Sequence, residues 1–254
     1  MSDGFIAVIP ARYASSRLPG KPLAEIAGKP MVEWVYRQTV QSGAREVIVA
    51  TDDERIAAVC RKFGAPVELT SSAHASGTDR IAELAQRFAW DDQQIVVNVQ
   101  GDEPLISPLS IAQTARLLAW HPEAAIATLI APLGHDADFT DPNYVRVVTD
   151  KNGFALYFSR APIPWPREGG VPGTARRHIG LYAYRAGSLK TISATPPCAL
   201  EEIEKLEQLR ALWLGLKIIV AEAAEPPSPH VDTEADLQKI RRVLEREPAA
   251  RGAK

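Results

Sequence analysis

The chain has 254 residues, 46% of them hydrophobic and 24% charged, with a formal net charge of −2. This suits one large α/β domain or two small ones and excludes a disordered tail, a collagen-like rod and a coiled coil. The near-neutral charge offers no basic field for nucleic acid, and two distant cysteines, Cys60 and Cys198, make neither a disulfide framework nor a zinc site, so a reducing cytoplasm is the simple reading.

In chain order, Phe5–Ile9 is a short apolar run behind an acidic start, which predicts a first strand rather than a signal peptide. No apolar run approaches the roughly 20 residues that a membrane span needs, so no membrane partner is expected. Further continuous apolar runs occur at Val47–Ala50, Ile95–Val99, Ala125–Ile130 and Ile218–Ala221. Such runs suit parallel strands covered on both faces. Between them, helical spacing predicts helices over Met31–Ser42, Asp53–Phe63, Thr78–Phe88 and Ser107–Trp120, the last opening with a cap-then-proline pair. The alternation predicts βαβ units in a single α/β domain spanning residues 1–254.

The stretch 133–185 breaks the rhythm. Val145–Thr149 and Ala155–Phe158 flank Asp150-Lys-Asn-Gly153, a hairpin signal, and Ile163–Gly173 is too rich in proline and glycine for regular structure. An antiparallel excursion with a loop is expected there. Ile179–Tyr184 then reads as a strand, Leu200–Leu214 as one long helix, Thr233 to about Glu245 as the last helix, and Glu247–Lys254 as a frayed tail.

The loop after the first strand carries the strongest chemical signal: Arg12, Ser15, Ser16, Arg17, Gly20 and Lys21. Ligands of open α/β sheets bind beyond the carboxyl ends of strands, and a cationic loop there suits a polyphosphate. It is neither a Walker A loop, since Pro22 stands where Ser/Thr belongs, nor a G-x-G-x-x-G fingerprint. The alternative is a solvated basic loop. The second signal is Val97-Asn-Val-Gln-Gly-Asp-Glu-Pro104, where a buried strand ends in two acids. Asp102, directly after Gly101, suits an Mg²⁺ anchor; a capped turn is the alternative. The third is His230-Val-Asp-Thr233, where Thr233 or Asp232 could cap the last helix, with Asp236 adding charge to its first turn, or Asp232 could be a second metal carboxylate. Two weaker constellations are Ser71–Arg80, a polar lead into a helix, and Glu204, Glu207 and Gln208, placed on one face of the long helix.

Together with Val49-Ala-Thr-Asp52, His74–Arg80, Ala155–Arg160, Ile163-Pro-Trp165, Arg177–Tyr182, Leu206–Arg210 and Val231–Thr233, these segments resemble the family of 3-deoxy-manno-octulosonate cytidylyltransferases. The resemblance implies a Rossmann-like mixed, mostly parallel sheet flanked by helices with a smaller antiparallel excursion, a homodimer, CTP, Mg²⁺ and a CMP-sugar product for lipopolysaccharide assembly. It implies that Arg12 and Lys21 hold the triphosphate and that Asp102 and Asp232 hold Mg²⁺, with Arg12, Lys21 and Asp102 as the catalytic set. Pro10, Ala11, Ser15, Ser76, Gly77 and Gln100 would border the nucleotide. Arg80, Gln100, Arg160, His178, Tyr182, Glu207 and Gln208 would line the sugar site, with 133–185 as a β-rich lobe for sugar binding and dimerisation. The 8-amino analogue of the octulosonate, another sugar acid or a sugar phosphate is the alternative acceptor, and a non-catalytic nucleotide-binding regulator is the alternative class.

Overall fold

The computed structural model describes residues 4–14, 17–74, 76–133, 139–171 and 173–246. The first apolar run forms β1 (Ile6–Ala11), and a 3-10 turn (Lys21–Leu23) closes the basic loop. A small antiparallel ribbon of β2 (Glu25–Ile26) and β3 (Lys29–Pro30) leads into α1 (Met31–Val40). There follow β4 (Glu46–Thr51), α2 (Glu54–Lys62), β5 (Val67–Leu69), α3 (Gly77–Arg87), β6 (Ile95–Asn98) and α4 (Pro108–Trp120). The second half contributes β7 (Ile126–Pro132), β8 (Arg146–Thr149), β9 (Ala155–Ser159), β10 (Arg176–Arg185) and α5 (Ala186–Ser193). It closes with α6 (Ala199–Glu204), α7 (Gln208–Trp213), β11 (Ile218–Glu222) and α8 (Glu234–Arg246).

The main sheet has the order β11-β7-β10-β6-β1-β4-β5. Every strand of that path shares one direction except β10, which runs antiparallel to both β6 and β7. The expected mixed, mostly parallel sheet is therefore present. The excursion is also present: β8 and β9 form a hairpin around Asp150–Gly153, and β8 joins β10 through Arg177 opposite Arg146. The 133–185 stretch thus supplies both this hairpin and a strand inside the main sheet.

Alternate residues of each strand face opposite cores. Ala7, Ile9, Val47 and Val49 pack with α1, α2 and α4 through Val35, Ile56 and Ile111. Ile6, Val8, Ile48 and Ala50 pack with α3, α5 and α7 through Ile81, Leu189 and Leu209. Burial on both faces explains why these strands read as unbroken apolar runs. A third, smaller core holds Ile26, Met31, Val231, Leu237, Ile240 and Leu244, which fastens α8 over the ribbon and the start of α1. Full burial of each such side chain contributes about 1.5–3 kcal/mol, more than a surface ion pair. Apolar packing therefore sets where α8, and with it the 230–233 segment, comes to rest.

The predicted helix over Leu200–Leu214 is broken. Lys205 adopts φ 54°, in the left-handed region, and separates α6 from α7. Glu204 turns towards β9, accepting hydrogen bonds from Ser159 Oγ (2.6 Å) and Arg160 N (2.8 Å). Leu206 enters the core at the break. Tertiary contacts thus override the helical spacing, and Glu204 no longer shares a face with Glu207 and Gln208. Strand β5 and helix α5 have no counterpart among the predicted elements. The predicted tail, 247–254, lies outside the described residues.

Candidate active site

The loops after β1 and β6 meet at Pro10. A Cβ on Gly101 would stand 2.6 Å from the Pro10 carbonyl oxygen, and one on Gly77 3.1 Å from its ring. At Gly101 only glycine permits the approach and at Gly77 a side chain would press on the ring, so two segments distant in sequence close on this proline. The 230–233 segment joins them because Val231 N–H donates to the Asp102 carbonyl at 2.9 Å. The basic loop folds back through Gly20, at φ +70°, whose N–H donates to the Tyr13 carbonyl at 3.0 Å. The 3-10 turn then directs Lys21 inwards, its side chain 13% exposed.

Lys21 Nζ donates to Asp102 Oδ2 at 2.8 Å and to Asp232 Oδ1 at 3.3 Å. Two carboxylates 130 positions apart thus converge on one ammonium. Arg17 Nη2 reaches the same Asp232 oxygen at 3.0 Å. Asp232 is free to do this because Thr233 caps α8: its Oγ accepts from Asp236 N–H and donates to the Asp236 carboxylate. Of the two cap candidates in the sequence, Thr233 takes the role and Asp232 does not.

These groups edge a cavity of about 320 Å³ at the carboxyl ends of β1 and β6. Pro10, Ala11 and Arg12 line one wall; Gly77, Gln100 and Asp102 line another. Arg12 is exposed and makes no hydrogen bond or ion pair among the described residues. Ser76 also reaches the cavity while its hydroxyl caps α3, accepting from Asp79 N–H at 3.1 Å. Arg80 lines the cavity but is 3% exposed, and its guanidinium is held by Asp52 at 3.0 Å and by Thr70. Ser15 lies outside the described residues.

A second cavity of about 270 Å³ adjoins the first, sharing Gly77, Gln100 and Asp102. It gathers Tyr182 from β10 and Glu207 and Gln208 from the start of α7. Glu207 accepts from Thr78 Oγ at 2.9 Å. Asn98 Oδ1 and Gln208 Nε2, one acceptor and one donor, are buried beside it with no hydrogen-bond partner among the described residues. His178 and Arg160 are not among the lining residues. His178 packs its ring between Phe158 and Tyr182, with Nε2 2.9 Å from Thr128 Oγ. The Arg160 guanidinium donates to the carbonyls of Glu204 and Pro142, at 2.8 Å each.

Burial alone would push the Asp102 carboxyl up, but His230 and the Lys21 ammonium outweigh it and bring the pKa to about 2. Asp102 is therefore an anion at neutral pH. Burial pushes Glu103 up, with opposition from His230 and Ser228. Glu207 is also pushed up by burial, against its bond from Thr78. Burial lowers His178 to about 3, so its ring is neutral. His230 goes the other way, to about 9, because Asp102, Glu103 and Asp232 together outweigh its burial.

Several residues at the site had no individual role assigned from sequence. Arg17 was visible as the third cation of the loop. His74 lines the first cavity and pairs with Glu83 at 2.6 Å. His230 and Asn98 line the second. Their residue types carried no spacing signal; only the fold brings them in.

A cationic cradle facing paired carboxylates, at the carboxyl ends of parallel strands, is the apparatus of a nucleotidyltransferase. The family model for cytidylyltransferases matches residues 6–218. A 3-deoxy-manno-octulosonate cytidylyltransferase of Pseudomonas fluorescens is 54% identical over 255 residues, covering 96% of this chain and 100% of the relative. One from Vibrio parahaemolyticus is 52% identical over 246 residues, covering 94% and 98%. A solved structure of CMP:2-keto-3-deoxy-manno-octonic acid synthetase complexed with CTP is similar at 40% identity and a TM-score of 0.86, over 96% of this chain and 100% of that one. The chain belongs to the cytidylyltransferase family.

Proposed function

We propose that the protein joins CTP to 3-deoxy-D-manno-octulosonate, releasing pyrophosphate and the CMP-sugar used in lipopolysaccharide assembly. The observation that carries this reading is the convergence of Asp102 and Asp232 on Lys21 Nζ at the mouth of a cavity fronted by Arg12. The family match and the relatives named above supply the substrate pair. In the reaction the anomeric hydroxyl oxygen bonds to the α-phosphorus of CTP, the bond to the β-phosphate bridge breaks with pyrophosphate leaving, and the hydroxyl proton passes to solvent. Such transfers depend on positioning and charge neutralisation more than on covalent chemistry.

Arg12 and Lys21 offset charge on the triphosphate and the leaving group. Pro10, Ala11, Ser15, Ser76, Gly77 and Gln100 frame the nucleotide. The second cavity takes the sugar: Tyr182, Glu207 and Gln208, with the unpaired Asn98 Oδ1 and Gln208 Nε2, suit a polyhydroxylated acid. Arg80, Arg160 and His178 act from behind by fixing the neighbouring segments. The donor set fits Mg²⁺, which favours a few carboxylate oxygens and keeps room for water and phosphate: Asp102 is ionised, and both aspartates are partly open to solvent. Asp102 and Asp232 would hold it, and it would supply charge neutralisation at the phosphates. We place the enzyme in the cytoplasm as a homodimer, with 133–185 contributing to the partner contact. No helix of the described residues is long and apolar enough to cross a membrane.

The test is product analysis. Protein with Mg²⁺, CTP and the octulosonate should release pyrophosphate and yield a CMP-sugar by mass spectrometry, whereas omission of acceptor should stop release. Equal release without acceptor would overturn the reading, as would faster turnover with the 8-amino analogue or with a sugar phosphate.

A further inference from the structure

The two oxygens of Asp102 face different surroundings. Oδ2 points to Lys21, while Oδ1 lies 3.7 Å from His230 Nδ1. The same imidazole nitrogen is 3.4 Å from Glu103 Oε1. Glu103 is 2% exposed; its Oε2 accepts from Ser228 Oγ at 2.6 Å, but its Oε1 is buried with no hydrogen-bond partner. One ligand atom each from Asp102, Glu103 and His230 all fall within 4.8 Å of one another. The backbone bond from Val231 to Asp102 holds the histidine across from the acids.

We propose that Asp102, Glu103 and His230 form a second cation site, selective for a borderline first-row dication such as Zn²⁺ and sharing Asp102 with the site beside Lys21. The donor chemistry selects the ion: an imidazole with two carboxylates suits Zn²⁺, whereas Mg²⁺ favours all-oxygen ligands. The spacing agrees. Two ligands on a tetrahedral Zn²⁺ at its usual bond lengths are about 3.4 Å apart, close to the 3.4 and 3.7 Å found here. Neighbouring ligands on octahedral Mg²⁺ are closer, about 2.9 Å. Zn²⁺ binding releases the imidazolium proton of His230 to solvent and replaces its 3.4 Å ion pair with Glu103. The shared carboxylate makes the two sites interdependent, so Zn²⁺ held by His230 weakens the hold of Asp102 on the other side. This goes beyond the proposed reaction, which assigns no step to His230 or Glu103.

The test is calorimetric titration of the full-length protein with ZnCl₂, without nucleotide or sugar, so its result does not depend on the proposed reaction. ¹⁵N spectra of labelled histidine follow the same titration. The tightest Zn²⁺ site should move one imidazole nitrogen signal, and His230→Gln should remove that signal and weaken this site more than about tenfold. His230 is 46% exposed in its side chain, so this variant does not open the core. His121→Gln, at the exposed pair with Glu123, serves as control and should bind as wild type. Absence of stoichiometric binding in the wild type overturns the proposal. So does unchanged affinity in His230→Gln, or an equal loss in His121→Gln.

Discussion

Asp232 and Thr233 are adjacent yet should fail in opposite ways. The Asp232 carboxylate is 39% exposed and lies 3.3 Å from Lys21 Nζ and 3.0 Å from Arg17 Nη2. At that exposure the pairs contribute about 0–1 kcal/mol each to stability. Removing the charge leaves Lys21 still paired to Asp102 at 2.8 Å, so no buried ion is orphaned. Asp232→Asn should therefore cost at most about 2 kcal/mol over the two pairs, or at most about 8 °C in Tm for a chain of this size. Its turnover should drop at least about 100-fold, equivalent to about 2.7 kcal/mol of transition-state stabilisation. Thr233→Ala removes the cap of α8 and should cost about 1 kcal/mol, or about 2–4 °C in Tm. Turnover should change less than about threefold, because the core around Leu237 and Ile240 still seats the helix. Calorimetric melting and pyrophosphate release read both effects. If Asp232→Asn kept more than a tenth of the activity, or if Thr233→Ala lost as much, the carboxylate would be only a terminus of the helix.

Arg210 and Glu201 form a buried bidentate pair, with Nε–Oε2 at 2.7 Å. Arg210→Met should cost about 3–5 kcal/mol in urea unfolding because Glu201 is left as an unpaired buried charge; a loss under 1 kcal/mol would contradict this. Gly101→Ala places a Cβ 2.6 Å from the Pro10 oxygen and should lower both CTP affinity and stability; wild-type binding would show that the two loops need not touch. His178, lowered to about 3, should show no imidazole titration by NMR down to pH 4. Below the ordinary histidine pKa the unfolded chain takes up a proton that the folded chain refuses, so this group costs stability as pH falls from about 6.5 towards 3. His178→Gln should flatten that acid limb, and an unchanged limb would place the sensitivity elsewhere.

The sequence made the doubly covered strands legible because burial on both faces leaves unbroken apolar runs, as in Ile6–Ile9 and Ile95–Val97. It also exposed the loop cations and Asp102, since charged residues at strand ends stand out against such runs. It did not reveal that β10 inserts between β6 and β7, because pairing order leaves no mark in periodicity. The break at Lys205 was hidden too: Leu206 and Leu209 fit a helical face, and only the contacts of Glu204 with β9 interrupt it. Asp232 was ambiguous until the cap was found on Thr233. His230 and Asn98 acquire significance only once Val231 is pinned to Asp102 and β6 is laid beside β10.

The most direct measurement is anomalous diffraction from crystals grown with CTP and Mn²⁺ as the heavier substitute for Mg²⁺. An ion bonded to the carboxylates of both Asp102 and Asp232 is expected, with the triphosphate lying against Arg12 and Lys21. An ion that touches neither aspartate, or a triphosphate seated away from the loop after β1, would contradict it.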